Sequence, residues 1–388
     1  MELITKAPKG TVDIIPGESE KWSLVEAVMT DEAELNGFSE IRTPVFEHTE
    51  LFLRSVGDTT DVVEKQMYTF EDKGGRSITL RPEGTAGAVR AIAGNRPLYN
   101  GGYPVKLYYK TSCYRYEKPQ AGRLRELHQF GVEMFGTAEP AADAQVIAMA
   151  MSIFNRLGLA DDIEVSINSI GCPTCRAEYR KALRTYFEGY KDQLCETCNS
   201  RLERNPMRIL DCKSPVCGEI AKGAPKITDY LCDDCRAHFE KVQMLLKSID
   251  IPFSIDPGLV RGLDYYTRTV FEFPSKRFGF ALGGGGRYDG LVEEVGGKPT
   301  PALGFGLGLD RILMAMNEMG ADFGNDSKCE VYIASLGEAA QMKAFQLTGK
   351  NAQLRHRGRL RPVCTRSESS DEIRRQNRRA VQHRPRRR

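Results

Sequence analysis

No run of 18 or more apolar residues occurs in the 388-residue chain, and Met1–Gly10 has no apolar core of the kind a secretory signal carries. Membrane insertion and secretion are therefore not expected, and the chain reads as soluble, globular and cytoplasmic. No internal repeat is present. No P-loop is present either, because the Gly283–Gly286 run lacks the Lys-Ser/Thr pair that would follow it. Gly304-x-Gly306-x-Gly308 also fails as a dinucleotide fingerprint, its third glycine falling in the wrong place. Histidine is scarce, and His48 and His238 lack ligand spacing. Cysteine is the exception: eleven would suit a disulfide scaffold only in a small secreted chain, so reduced thiols or metal are the better reading.

The length allows two to three domains and a large core. The net charge of +3 hides an asymmetry. Residues 351–388 hold thirteen arginines, no lysine and three acids, giving +10 there and −7 over residues 1–350. Any nucleic-acid contact by the body must come from local patches rather than a global field.

Residues 115–136 carry the densest chemistry. Val105–Glu117 alternates like a strand, and His128–Phe135 alternates again after a polar loop. Period-two geometry puts Thr111, Cys113, Arg115 and Glu117 on one face, and Gln129, Gly131 and Glu133 on one face of the return strand. If those faces coincide, one hairpin presents a guanidinium, two carboxylates and a carboxamide to a single cleft. A strand-borne arginine suits bidentate phosphate binding, and the carboxylates suit a cationic or hydrogen-bonding small substrate. Cys113 reads as sheet packing rather than a nucleophile.

Glu20–Asn36 reads as an amphipathic helix with Trp22, Val25, Met29 and Ala33 on one face, Ser19 as N-cap and Gly37 as its stop. Phe38–Val45 reads as a short edge strand, and helices are expected at Ala86–Gly94 and Ala142–Leu157. Ile163–Asn168, Ile251–Asp256, Thr269–Phe273, Gly279–Leu282 and Ala302–Gly308 read as strands, the last entering a helix near Leu309. Gly283–Gly286 reads as a strand end where a flat ligand can approach the main chain. Val331–Ser335 and Gly337–Lys350 look like one βα unit of a further domain. Strands without regular helix alternation indicate an α+β fold with a largely antiparallel sheet.

Two more clusters stand out. Arg261-Gly-Leu-Asp-Tyr-Tyr-Thr-Arg268 lies between two expected strands, where Arg261 could hold an anionic intermediate and a tyrosine hydroxyl could meet a polar ligand; a solvated turn with aromatic packing is the alternative. Cys172/Cys175, Cys195/Cys198, Cys212/Cys217 and Cys232/Cys235 are short-spaced pairs, enough for two tetrahedral thiolate sites for structural Zn²⁺. Reduced, partly buried thiols are the alternative there.

Together these segments closely resemble the histidyl-tRNA synthetase family of class II aminoacyl-tRNA synthetases, over about residues 1–350. Gly37–Phe52, with Pro44, is similar to the dimer-forming first class motif, Arg115–Gly136 to the second and Gly304–Arg311 to the third. Leu259–Phe273, Leu-Val-Arg-Gly-Leu-Asp-Tyr-Tyr-Thr-Arg-Thr-Val-Phe-Glu-Phe, is similar to a motif specific to the histidine enzymes. The resemblance implies an antiparallel class II catalytic sheet flanked by helices, in two parts, 1–170 and 241–325. Between them lies a Cys-rich helical insertion at 171–240; a partial anticodon-binding α/β unit follows at 326–350, then a basic disordered tail at 351–388. It implies a homodimer acting on histidine, ATP with Mg²⁺, and histidine tRNA.

By motif, Arg115 would hold the α-phosphate of ATP with Glu117 near the adenine and Arg123 in support. Arg311 would grip the γ-phosphate, and Arg261 would stabilise charge at the α-phosphate. Glu83, Thr85 and Gln129 would bind the amino and carboxylate ends of histidine, Glu133 and Tyr266 its imidazole nitrogens, with Tyr265 and Tyr288 as supporting contacts. Zinc is not a general feature of the family and rests on cysteine spacing.

Two rival readings lie close by. A noncatalytic, synthetase-like regulatory subunit of ATP phosphoribosyltransferase predicts eroded ATP motifs, whereas here the arginines are intact. A zinc-stabilised RNA-binding module leaves the polar constellation unexplained. From about Asn351 the chain has no aromatic residue and no apolar period, and reads as translation of a shifted frame, an authentic basic arm being the alternative.

Overall fold

The computed structural model describes residues 6–323, apart from 58, 59, 61, 96–101, 103 and 213, and residues 331–360, apart from 334, 336 and 354–357. The chain forms two compact units, Met1–Asp322 and Phe323–Arg388.

The first unit opens with α1 (Ser19–Leu35), which buries Val25, Met29 and Ala33 as their spacing requires. It closes in a Schellman turn. Gly37 takes φ +78°, its N–H bonds the Glu34 carbonyl, and the Phe38 N–H bonds the Ala33 carbonyl, both at 3.0 Å. Ser19 does not cap the helix. It is the first helical residue, and the Glu20 carboxylate instead reaches back to the Gly17 N–H at 2.6 Å. The expected strand Phe38–Val45 shrinks to β1 (Ser39–Glu40); beyond it the Arg81 side chain, not a neighbouring strand, takes the Thr43 and Pro44 carbonyls at 2.9 and 3.1 Å.

A small antiparallel sheet follows, of β2 (Phe46–His48), β3 (Tyr68–Glu71) and β4 (Ser77–Leu80), with α2 (Thr49–Val56) between its first two strands and α3 (Thr85–Gly94) after it. The large sheet contains β5 (Val105–Tyr114), β6 (Glu126–Phe135), β7 (Ser166–Ser169), β8 (Ser254–Ile255), β9 (Thr267–Pro274), β10 (Ala281–Arg287) and β11 (Ala302–Gly308). Its order is β1-β5-β6-β11-β10-β9-β7-β8. Every pairing from β5 to β7 is antiparallel, while β1 and β8 add parallel edges, so the sheet is mixed.

Register settles the question of the hairpin faces. Tyr109 pairs with Gly131 and Thr111 with Gln129, so the polar residues expected on each strand share one side. The glycine run is not a strand end: residues 283–286 lie inside β10, paired with β11 throughout and with β9 from Gly284 onward. A Cβ on Gly285 would come within 2.7 Å of the Phe305 Cα, so close sheet contact rather than chain termination requires glycine.

Helix α4 (Pro140–Arg156) precedes β7, and the Cys-rich segment forms α5 (Pro173–Glu188), α6 (Glu196–Arg204), α7 (Pro215–Lys222) and α8 (Asp233–Ser248). Its Tyr179, Leu183, Phe187 and Ile209 share one apolar core with Val270, Tyr265 and Tyr288. Short α9 (Leu291–Glu294) leads to β11, and α10 (Leu309–Glu318) continues directly from that strand. No helix among the described residues is long and apolar enough to cross a membrane.

In the second unit β12 (Val331–Ile333) pairs in parallel with β13 (Gly358–Leu360), and α11 (Glu338–Gln353) connects them. The expected βα unit is present, with one further short strand. The arginine-rich tail beyond residue 360 lies outside the described residues.

Candidate active site

Two cavities, of about 200 and 150 Å³, adjoin over β6, β10 and β11 and share Arg115, Gln129, Arg261 and Gly306. The strands deliver these groups because one face of the antiparallel core alternates polar and glycine residues instead of apolar ones.

Arg115, Glu117, Arg123, Arg261 and Arg311 line the larger cavity together. The Arg115 Nε donates to the Pro82 carbonyl at 2.8 Å, which fixes its guanidinium. Arg311 donates to the carbonyls of Gly122 and Ala281 at 2.9 and 2.7 Å and lies over the Phe280 ring. Burial, followed by the charges of Arg123 and Arg115, holds the Arg311 pKa below its ordinary value. Such crowded cations call for a polyanion. Glu117 faces Arg123 at 3.5 Å, and Arg261 is ion-paired with Glu272. Asp310 ties the third strand–helix junction to β6: it accepts the His128 N–H at 2.7 Å, with the His128 Nδ1 at 3.3 Å.

Glu83, Thr85, Gln129, Tyr265, Tyr266 and Tyr288 line the smaller cavity. The two Glu83 oxygens accept the N–H groups of Thr85 and Ala86 at 2.6 and 2.8 Å, so this acid holds the start of α3. Burial raises its pKa, and those amides act against the rise. The Gln129 Oε1 accepts the Gly84 N–H at 3.2 Å.

Glu133 lines neither cavity. It is 1 % exposed and sits behind the wall, one oxygen accepting the Tyr109 hydroxyl at 3.0 Å and the other the Tyr288 hydroxyl. Burial pushes its pKa up to about 8, the Tyr288, Thr85 and Tyr109 hydroxyls acting the other way. The glycines of β11 make room for this wall: a Cβ on Gly304 would collide with the Glu133 carboxylate, and one on Gly306 with the Gln129 amide. Sequence reasoning missed Tyr109 and Glu272. Tyr109 shares the face of Thr111, a signal that could have found it; Glu272, inside an apolar strand, gave a weaker one.

The eight insertion cysteines gather as two sets, Cys172/Cys175/Cys232/Cys235 and Cys195/Cys198/Cys212/Cys217, with sulfurs within 4.8 Å of one another in each. Four thiolates around one zinc stand about 3.8 Å apart, close to the 3.5 Å of Cys172–Cys175 and the 3.9 Å of Cys195–Cys212. Cys172, Cys195 and Cys232 occupy N-cap positions of α5, α6 and α8, and at Cys172 and Cys195, although burial opposes it, hydrogen bonds from backbone and neighbouring thiols favour thiolate. The donor set therefore fits a metal ion. A separate cavity of about 240 Å³, lined by Lys65, Arg201, Arg204 and Glu64 among others, shares no residue with the two described above.

A mixed sheet with an antiparallel centre, carrying an arginine-lined cleft beside a small polar cavity, is the architecture of a class II aminoacyl-tRNA synthetase. The family profile described as "Histidyl-tRNA synthetase" matches residues 10–172 and 220–312. The chain belongs to the histidyl-tRNA synthetase family. It is 52 % identical over 348 residues to the histidine–tRNA ligase of Clostridioides difficile, covering 89 % of this chain and 82 % of that one. It is 53 % identical over 347 residues to that of Acetivibrio thermocellus, covering 89 % and 83 %. Among solved structures, apo histidyl-tRNA synthetase of S. aureus superposes with a TM-score of 0.79 at 36 % identity, covering 97 % of this chain and 89 % of the other. A Bacillus halodurans structure titled as an ATP phosphoribosyltransferase regulatory subunit/histidyl-tRNA synthetase gives 0.71 at 25 %, covering 96 % and 97 %.

Proposed function

We propose that the chain is a histidine–tRNA ligase that joins histidine to ATP as histidyl-adenylate, releasing pyrophosphate, and then passes the acyl group to the terminal ribose of histidine tRNA. The observation that carries this reading is the meeting of Arg115, Arg261 and Gln129 at the boundary of the two cavities. A carboxylate held in the smaller cavity and an α-phosphate held in the larger would meet there.

No protein nucleophile is needed for the first step. Arg115 and Arg261 orient the α-phosphate and offset the charge that builds on it, while Arg311 holds the outer phosphates. Mg²⁺, when bound with ATP, supplies further charge neutralisation. Glu83, Thr85 and Gln129 take the amino and carboxylate ends of histidine. Tyr266 meets the imidazole, and Glu133 sets its polarity from behind the wall, reaching a ring nitrogen directly once histidine displaces a phenol. Apolar amino acids would leave these groups unpaired and be rejected. The cysteine sets hold structural Zn²⁺, the chain acts in the cytoplasm, and two copies pair through the segment around Pro44.

The regulatory-subunit reading has the Bacillus halodurans neighbour in its favour. Histidine-dependent ATP–pyrophosphate exchange separates the two. The ligase exchanges label; a folded protein that binds histidine without exchange would be the regulatory subunit.

A further inference from the structure

Two arginines of the insertion reach the main chain of the 261–266 loop, each anchored beside a different cysteine set. Arg176 follows Cys175 in α5. Its N–H bonds the Cys172 carbonyl at 3.0 Å, and its Nη1 donates to the Tyr266 carbonyl at 3.0 Å. Arg208, 7 % exposed, donates its Nη1 to the Arg261 carbonyl at 2.9 Å. The Arg208 carbonyl accepts Arg201 Nη1 at 3.1 Å, from the helix that Cys195 and Cys198 open. The turn beyond it closes at Cys212, whose N–H bonds the Ile209 carbonyl at 3.1 Å.

The contact between insertion and loop is tight. Met207 and Ile209 of the insertion share one apolar core with Leu259, Tyr265 and Tyr266, and only a small cleft of about 30 Å³ lies among Arg176, Arg208, Arg261 and Tyr266, so a shift of the insertion passes into the loop. Helices α6 and α7, of nine and eight residues, are too short to persist unaided. The second cysteine set joins them, Cys198 lying in α6 and Cys217 in α7, while Leu202 and Ile220 pack them into the shared core. Residues 173–219 also fall outside the blocks matched by the family profile, so both arginines lie beyond the part it covers.

We propose that the insertion is a metal-stapled brace for the active-site loop, with divided duties: the first cysteine set acts through Arg176 on Tyr266 and histidine capture, the second through Arg208 on Arg261 and the chemical step. This rests on the ligase and zinc readings above. Arg176 and Arg208 are positioning residues, since neither lines a substrate cavity.

The test uses the full chain with Arg176→Met and Arg208→Met, each beside its lysine counterpart. In pyrophosphate exchange, Arg176→Met should raise the histidine KM about ten-fold with kcat little changed, and Arg208→Met should lower kcat about ten-fold with KM little changed, the scale of one buried hydrogen bond. The lysine variants, which keep a donor, should recover most of each loss; if a methionine variant fails to fold, the smaller loss left in its lysine counterpart should still fall on KM for Arg176 and on kcat for Arg208. Calorimetric histidine binding, which needs no catalysis, should weaken in Arg176→Met and hold in Arg208→Met. Parallel changes in both variants, or none in either, overturn the division of duties. Metal analysis separates the premises: zinc lost to a chelator with KM and kcat intact overturns the brace and leaves the zinc reading standing. Metal-free protein with the split kinetics removes zinc and keeps the two arginines.

Discussion

Glu133 and Tyr288 stand 155 residues apart in the chain and share a hydrogen bond inside the wall of the smaller cavity. Tyr109 holds the other oxygen of the same acid, so a protonatable carboxyl is enclosed by phenols where water cannot reach it.

That enclosure makes stability depend on pH. Glu133 is raised from 4.5 to about 8, so between those values the unfolded chain releases a proton that the folded chain keeps. Stability therefore falls as pH rises through this window, by roughly 5 kcal/mol in total. Glu133→Gln should remove that slope. Urea denaturation at pH 5 and pH 8 checks it; a variant whose difference from the parent is the same at both pH values would clear Glu133 of the effect.

Arg261→Ala should nearly abolish adenylate formation, since losing a donor aimed at developing charge costs about 3–4 kcal/mol of barrier. Pyrophosphate exchange by the folded variant is the measurement, and near-normal rates would refute the role.

Arg287 is wholly buried, with Asp143 at 2.7 Å and the carbonyls of Thr137 and Glu139 at 2.9 and 3.0 Å. Asp143→Ala removes the fully buried partner of that charge, leaving it Asp289 at 3.2 Å and the two carbonyls, and should destabilise the protein by about 3 kcal/mol. Although burial opposes it, His238 and Arg287 hold the Asp143 pKa below 3.8. Its contribution is thus complete above that value and is lost as pH falls through the lower folded one. A denaturation midpoint unchanged in Asp143→Ala would contradict this account.

Protein purified without added metal should carry up to two Zn²⁺ per chain, bound structurally, because four thiolates leave no place for water. Elemental analysis with thiol titration decides it: no zinc and eight freely reacting insertion thiols would sink the proposal.

The hairpin of β5 and β6 was legible because period-two alternation states which residues share a face, and the pairing of Thr111 with Gln129 follows it. The central glycine strand was less so. Glycine weakens every strand signal, and the crowding that requires four in a row comes from both neighbours: Leu307 and Phe305 beside Gly283 and Gly285, the Phe271 and Thr269 carbonyls beside Gly284 and Gly286. Ser19 misled because the first-turn amides already have backbone partners, Ser19 N–H on the Ile15 carbonyl and Lys21 N–H on the Glu18 carbonyl, and need no capping side chain. Cysteine pairing was illegible in principle: spacing gives the pairs, but only the path of α5 to α8 brings the first pair to the last. Asp143 and Arg287 could not be matched across the chain without knowing that α4 lies against β10.

The nested order of the cysteines has a consequence for how this protein changes over generations. The outer set joins residues 172 and 175 to 232 and 235, so the segment leaves and re-enters the catalytic body through one narrow neck. Lengthening or shortening the chain inside that neck leaves β7 and β9 in register, because their ends are tied outside it. The interior is free to drift in length and sequence while the sheet cannot. Its drift is limited where Arg176 and Arg208 touch the loop, and where Tyr179, Leu183, Phe187 and Ile209 enter the core shared with Tyr265 and Val270.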